Sequence, residues 1–129
     1  MKNQEVYRCS HCKLQMMVTA PGAEGVKAPL CCGIPMELQK PNTVDAAKEK
    51  HVPLIEAANS GTVVKVGSVA HPATAEHFIE WIELILANGQ SIRMELTSEV
   101  KPEVLFDVPY SPELRARISC NLHGIWMDR

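Results

Sequence analysis

His51, His71, His77, Cys120 and His123 combine four imidazoles with one thiol. They lie in the segments Glu49-Lys50-His51-Val52-Pro53, Ala70-His71-Pro72-Ala73-Thr74-Ala75-Glu76-His77 and Cys120-Asn121-Leu122-His123. Imidazole nitrogen and thiolate sulfur hold transition metals, and a set richer in histidine than a structural zinc site needs points to a reactive metal. Five donors are also one more than a tetrahedron takes. A second set stands apart, as Cys9-Ser10-His11-Cys12 and the adjacent pair Cys31-Cys32. A Cys-x2-Cys unit brings two sulfurs to one ion from a single tight turn, and a later pair completes a tetrathiolate shell. His11 reads as an exposed loop residue, because four thiolates already satisfy that ion.

The rest of the chain bounds what such sites could serve. With 129 residues, 46% of them apolar, it can bury one real core and carry a small satellite unit. A net charge of -2 and the lack of a long basic run argue against nucleic acid as a partner, so any pull on an anionic substrate must be local. The opening Met1-Lys2-Asn3-Gln4-Glu5-Val6 lacks a secretory apolar stretch and no run is long enough to span a membrane, which predicts a soluble, cytoplasmic protein. Five cysteines, an odd number, fit ligation in a reducing compartment better than a disulfide framework.

The elements that must position these donors fall into two parts. The polar stretch from Lys40-Pro41 to Lys50 reads as a linker, giving a metal module over residues 1–39 and a larger domain over 40–129. In the larger part, Thr62–Val66 and Val104–Val108 are β-branched or apolar runs bounded by turn residues and predict strands. Phe78–Leu86 fits a helical stripe as well as a strand, but Asn88-Gly89 followed by Ser91–Leu96 predicts a hairpin. Leu114, Ala116, Ile118, Cys120 and Leu122 alternate with Arg115, Arg117, Ser119 and Asn121, the pattern of a half-buried strand with Cys120 facing inward. Short strands separated by turns favour an antiparallel sandwich. Trp81, Trp126, Met16, Met17, Met36 and Met94 read as packing residues.

Taken together, these segments resemble the desulfoferrodoxins, two-iron superoxide reductases. Cys9-x2-Cys12 with Cys31-Cys32-Gly33 is similar to their desulforedoxin-type module. Glu49-Lys50-His51-Val52-Pro53, Gly67-Ser68-Val69-Ala70-His71-Pro72, Glu76-His77-Phe78-Ile79-Glu80-Trp81 and Cys120-Asn121-Leu122-His123-Gly124-Ile125-Trp126 resemble, in order, the family's catalytic signatures. The resemblance implies an all-β chain, a small tetrathiolate module followed by an immunoglobulin-like antiparallel β-sandwich. It implies two mononuclear irons: one on Cys9, Cys12, Cys31 and Cys32, the other on equatorial His51, His71, His77 and His123 with axial Cys120 and an open sixth position.

The implied reaction is one-electron reduction of superoxide to hydrogen peroxide without release of dioxygen. Lys50 would attract the anion and organise proton delivery, and Glu49 would cap the open position in the resting state. A rubredoxin-like electron donor and a homodimer follow from the same resemblance. The chain departs from the family in the module: Lys13 stands where glycine often follows the second cysteine, and Thr19–Pro29 differs from the usual approach to the adjacent pair. Zinc is therefore an alternative occupant of the tetrathiolate site. Two other readings are a noncatalytic iron electron-transfer protein, with a closed sixth position, and a zinc-stapled structural protein.

Overall fold

The computed structural model describes residues 1–43, 51–67 and 71–128. Among them every regular element is a strand, and no helix is long and apolar enough to cross a membrane. The chain forms two compact units, Met1–Lys40 and Pro41–Arg129.

In the first unit, β1 (Val6–Arg8) lies between β2 (Gln15–Met17) and β5 (Glu37–Leu38), while β3 (Leu30–Cys31) and β4 (Ile34–Pro35) form a separate ribbon. Its core is small, built on Tyr7, Cys9 and Met36. So few buried side chains leave a unit of this size short of stabilisation without a cross-link or a metal. Met36 packs as expected, but Met16 and, in the second unit, Met94 lie at the surface, because each projects from the solvent side of a strand at a sheet edge.

The second unit is a two-sheet sandwich. β6 (Pro53–Ala58), β7 (Gly61–Val66) and β10 (Glu103–Phe106) form one sheet in the order β10-β7-β6. β8 (Ile79–Ile85), β9 (Ser91–Glu95), β11 (Arg115–Cys120) and β12 (Gly124–Met127) form the other, in the order β12-β11-β8-β9. All neighbours are antiparallel. Val64, Val66 and Phe106 from the first sheet meet Ile82, Leu84, Ala116, Ile118 and Trp126 from the second in one core. Gly61 is required where β7 turns in: a Cβ there would lie 2.1 Å from the Phe106 carbonyl oxygen.

The expected hairpin is β8 and β9, with Gly89 at φ +86° and the Asn88 side-chain oxygen accepting from the Gln90 amide at its tip. The helical ambiguity has a physical origin: Trp81–Leu84 is buried on both faces, so the period of two is lost. β8 also carries a bulge. Pairing steps from Ser119 opposite Trp81 to Cys120 opposite Ile79, leaving Glu80 as the extra residue. The extra residue shifts the alternation, so Ile79 joins Ile82 and Leu84 in the core instead of sharing the other face with Trp81 and Glu83.

β11 departs from the half-buried pattern. Arg117 and Ser119, expected outward in solvent, are buried, and Leu122 lies beyond the strand in a turn, 59% exposed. β11 runs between two strands, and its outer face closes over an ion pair: Arg117 Nη2 is 2.9 Å from Glu83 Oε1, its cross-strand partner, with the guanidinium 5.4 Å from the Trp81 ring. The Ser119 hydroxyl donates to Glu80 at 2.7 Å. β6 and β12 were not foreseen, since Leu54–Ala58 has no clean alternation and Gly124–Met127 is very short. Removing one partner of a buried pair strands the other charge, so Glu83→Ala should cost about 3–5 kcal/mol. A double change, Glu83→Leu with Arg117→Met, should recover most of it; chemical denaturation of both variants against the parent checks the contrast.

Candidate metal centre

The antiparallel order brings one end of the sandwich together. Pro53, at the start of β6, pairs with Val66 at the end of β7; Cys120, at the end of β11, pairs with Ile79 of β8 and Gly124 of β12. His51 precedes β6, His71 follows β7, His77 precedes β8, and His123 sits in the turn from β11 to β12. All four imidazoles and Cys120 therefore converge, although His51 and His123 are 72 positions apart.

The rings form a closed cycle. Neighbouring centroids are 4.7 Å apart for His51 and His71, 4.5 Å for His71 and His77, 5.0 Å for His77 and His123, and 4.8 Å for His123 and His51. The diagonal between His51 and His77 is longer, 6.1 Å. Cys120 Sγ lies 3.5 Å from His71 Nε2 and 3.7 Å from His123 Nδ1, which are opposite corners of the cycle. The sulfur thus sits against the face of the ring of nitrogens and not at a fifth corner. It is wholly buried, as are His51 and His71 nearly so, whereas His123 is exposed.

These spacings suit a shared ion. Two nitrogens each about 2.1 Å from one ion and at right angles would be about 3.0 Å apart. His51 Nε2 and His123 Nδ1 are 3.0 Å apart. Donor atoms of His51, His71, His77 and Cys120 all fall within 4.8 Å of one another. His71 Nδ1 is 2.7 Å from the Pro72 carbonyl, which can only accept, so the proton resides on Nδ1 and the Nε2 lone pair is left facing Cys120.

Trp126 contributes a role that packing alone did not suggest. Its indole stacks on His51 at 4.7 Å and 16°, and its Nε1–H donates to the His123 carbonyl at 3.1 Å. The signal was its place in the Cys120–Trp126 segment, three residues after His123. Glu49 and Lys50 lie outside the described residues.

In the first unit, the sulfurs of Cys9, Cys12, Cys31 and Cys32 also lie within 4.8 Å of one another, and none is in a disulfide. Cys12 Sγ is 3.6 Å from Cys31 Sγ, which is 3.9 Å from Cys32 Sγ. Sulfurs about 2.3 Å from a tetrahedral ion would be about 3.8 Å apart. The Cys12 amide points at Cys9 Sγ, 3.5 Å away, and holds the Cys9 thiol down at about 6. Hydrogen bonding to the Cys12 sulfur holds the proton on Cys31, pushed up to about 12, and on Cys32, also raised, with burial adding to both. His11 is exposed. Lys13 adopts φ +70°, the conformation glycine favours, and its ammonium donates to the Ser10 carbonyl at 2.8 Å. Lysine thus takes a left-handed backbone conformation here that glycine would adopt without strain.

Comparison with known proteins places the chain in a described family. The Desulfoferrodoxin family model matches residues 43–129. A desulfoferrodoxin of Syntrophotalea carbinolica is 53% identical over 122 residues, spanning 95% of this chain and 93% of its own length. One from Nitratidesulfovibrio vulgaris is 46% identical over 127 residues, spanning 98% and 97%. The crystal structure of the superoxide reductase from Treponema pallidum superimposes with a TM-score of 0.69 at 30% identity, covering all of both chains. With both donor clusters assembled and relatives matched along nearly its full length, the chain belongs to the desulfoferrodoxin family.

Proposed function

We propose that this protein is a superoxide reductase, converting superoxide, one electron and two protons into hydrogen peroxide without releasing dioxygen. The observation that carries the reading is the cycle of four imidazoles with a buried thiol against its face. His51, His71, His77, His123 and Cys120 would hold a mononuclear iron. When bound, that iron would supply the electron and a coordination position for the anion, with the thiolate raising its electron density.

The chain's own groups do the rest. Burial of Cys120 keeps a readily oxidised sulfur away from bulk solvent, where the peroxide product accumulates. The Pro72 carbonyl fixes the His71 tautomer, and Trp126 holds His51 by stacking and the His123 peptide by a hydrogen bond. Exposed His123 leaves one side of the cluster open to a small anion. Lys50, adjacent to His51 in sequence, would draw superoxide to a protein whose net charge is -2, and Glu49 would cover the site at rest.

Residues 1–39 would form a tetrathiolate iron module, with zinc as the alternative occupant, and residues 40–129 the catalytic domain. A rubredoxin-like carrier would supply electrons, the protein would act as a homodimer, and its free cysteines suit a reducing cytoplasm.

Iron-loaded, reduced protein mixed with generated superoxide should yield one hydrogen peroxide per superoxide consumed and no dioxygen. Cys120→Ser should abolish turnover. Lys50→Ala should slow it about tenfold at low ionic strength, the difference shrinking as salt is added. Dioxygen evolution at the level of spontaneous dismutation or above, or undiminished turnover by Cys120→Ser, would sink the assignment; a protein that does not react with superoxide would leave the yield at the one half peroxide per superoxide that spontaneous dismutation gives.

Metal binding to the tetrathiolate site should release protons near neutral pH, since Cys31 and Cys32 are raised and enter as thiols. Affinity should accordingly rise with pH. Zinc titration by calorimetry, in buffers of different ionisation enthalpy and in a Cys120→Ser background, should give heats that depend on the buffer. Buffer-independent heats would count against it.

A further inference from the structure

Asn121 lies between Cys120 and His123, and three of its polar groups reach the segment that carries His77. Its side-chain oxygen accepts from the Phe78 amide at 2.9 Å, its side-chain NH2 donates to the Glu76 carbonyl at 3.0 Å, and its own amide donates to the Phe78 carbonyl at 3.2 Å. The peptides on either side of His77 are thus both gripped by one residue. Because an amide N–H needs an acceptor and a carbonyl needs a donor, these two partners also fix which way the carboxamide points.

The His77 peptide is secured from the other direction by Thr74. The His77 amide lies 3.2 Å from the Thr74 carbonyl and 3.1 Å from its hydroxyl oxygen, and the Thr74 amide donates to the His77 carbonyl at 3.0 Å. Thr74 sets the shape of the turn, while Asn121 sets where that turn stands relative to Cys120. A short loop with a half-buried histidine has little packing of its own to do this.

We propose that Asn121 is a positioning residue for the metal centre, clamping the His77 loop to the Cys120–His123 turn so that one imidazole and the thiol keep a fixed spacing. The proposal rests on the assignment of His77 and Cys120 as ligands. An aspartate could still accept from Phe78 but could not donate to Glu76, so it would keep half the clamp.

The test uses the full chain with cobalt(II), whose visible absorption reports ligand geometry. Asn121→Ala should weaken cobalt binding at the histidine and cysteine site roughly 10–100-fold and alter its bands. Asn121→Asp should fall between that variant and the parent. Cobalt binding by the four cysteines should stay unchanged, serving as the internal control for folding. In metal-free protein, the Phe78 amide should exchange faster in Asn121→Ala and remain protected in Asn121→Asp. Parent-like affinity and spectrum in Asn121→Ala, or equal weakening at both metal sites, would overturn the clamp. His77→Ala separates the two claims: if it too leaves the spectrum unchanged, the ligand assignment fails; if it alters the spectrum while Asn121→Ala does not, only the clamp fails.

Discussion

Antiparallel pairing around β11 is the constraint on which the second unit depends. With Cys120 in register with both Ile79 and Gly124, the starts of β8 and β12 must lie beside the end of β11. Any histidine just before β8, or in the turn before β12, is then brought to the thiol without further design. The other sheet repeats the arrangement, since β6 begins where β7 ends. Five donors thus gather at one end because strands alternate in direction, and side-chain contacts need only refine their angles.

Refinement comes from groups that touch a clustered histidine on its outer side. Pro72 sets a proton on His71, Trp126 braces His51 and the His123 peptide, and Asn121 and Thr74 hold the peptides around His77. Most of these partners are neighbours in sequence of the ligand they support or of the next one in space. The bulge at Glu80 belongs with them, because it returns Ile79, two residues from His77, to the core face. In the first unit the same task falls to the backbone, with Lys13 and Cys32 held at positive φ to turn the chain around the sulfurs and the Lys13 ammonium bonded to the Ser10 carbonyl.

That these cysteines and histidines cluster was legible in the sequence, because metal-binding chemistry allows few residue types and the resemblance fixes their order. Strands with a clean period of two or dense β-branching, such as β7, were legible for the same kind of reason. β6 and β12 were not, as one lacks alternation and the other is too short to show any. The burial of Arg117 and Ser119 was also hidden, because a charged residue reads as solvated until its partner, Glu83, is known to lie opposite. Trp126 reads as a packing residue and Asn121 as an outward-facing strand residue; only the fold shows that each bridges two of the clustered segments.

The two clusters differ in how much chain must be folded before they exist. Cys9 and Cys12 share one turn, Cys31 and Cys32 are adjacent, and the two pairs are joined across 19 positions. The histidine cluster is closed only by a contact across 72 positions, from the residue before β6 to the turn before β12. Loop-closure entropy makes the first a local event and the second a late one. The four thiols can therefore come together while most of the sandwich is still unmade, whereas the histidines meet only after the last turn has docked. The topology in this sense orders the assembly of the two clusters, the thiols needing only local closure and the histidines the finished sandwich.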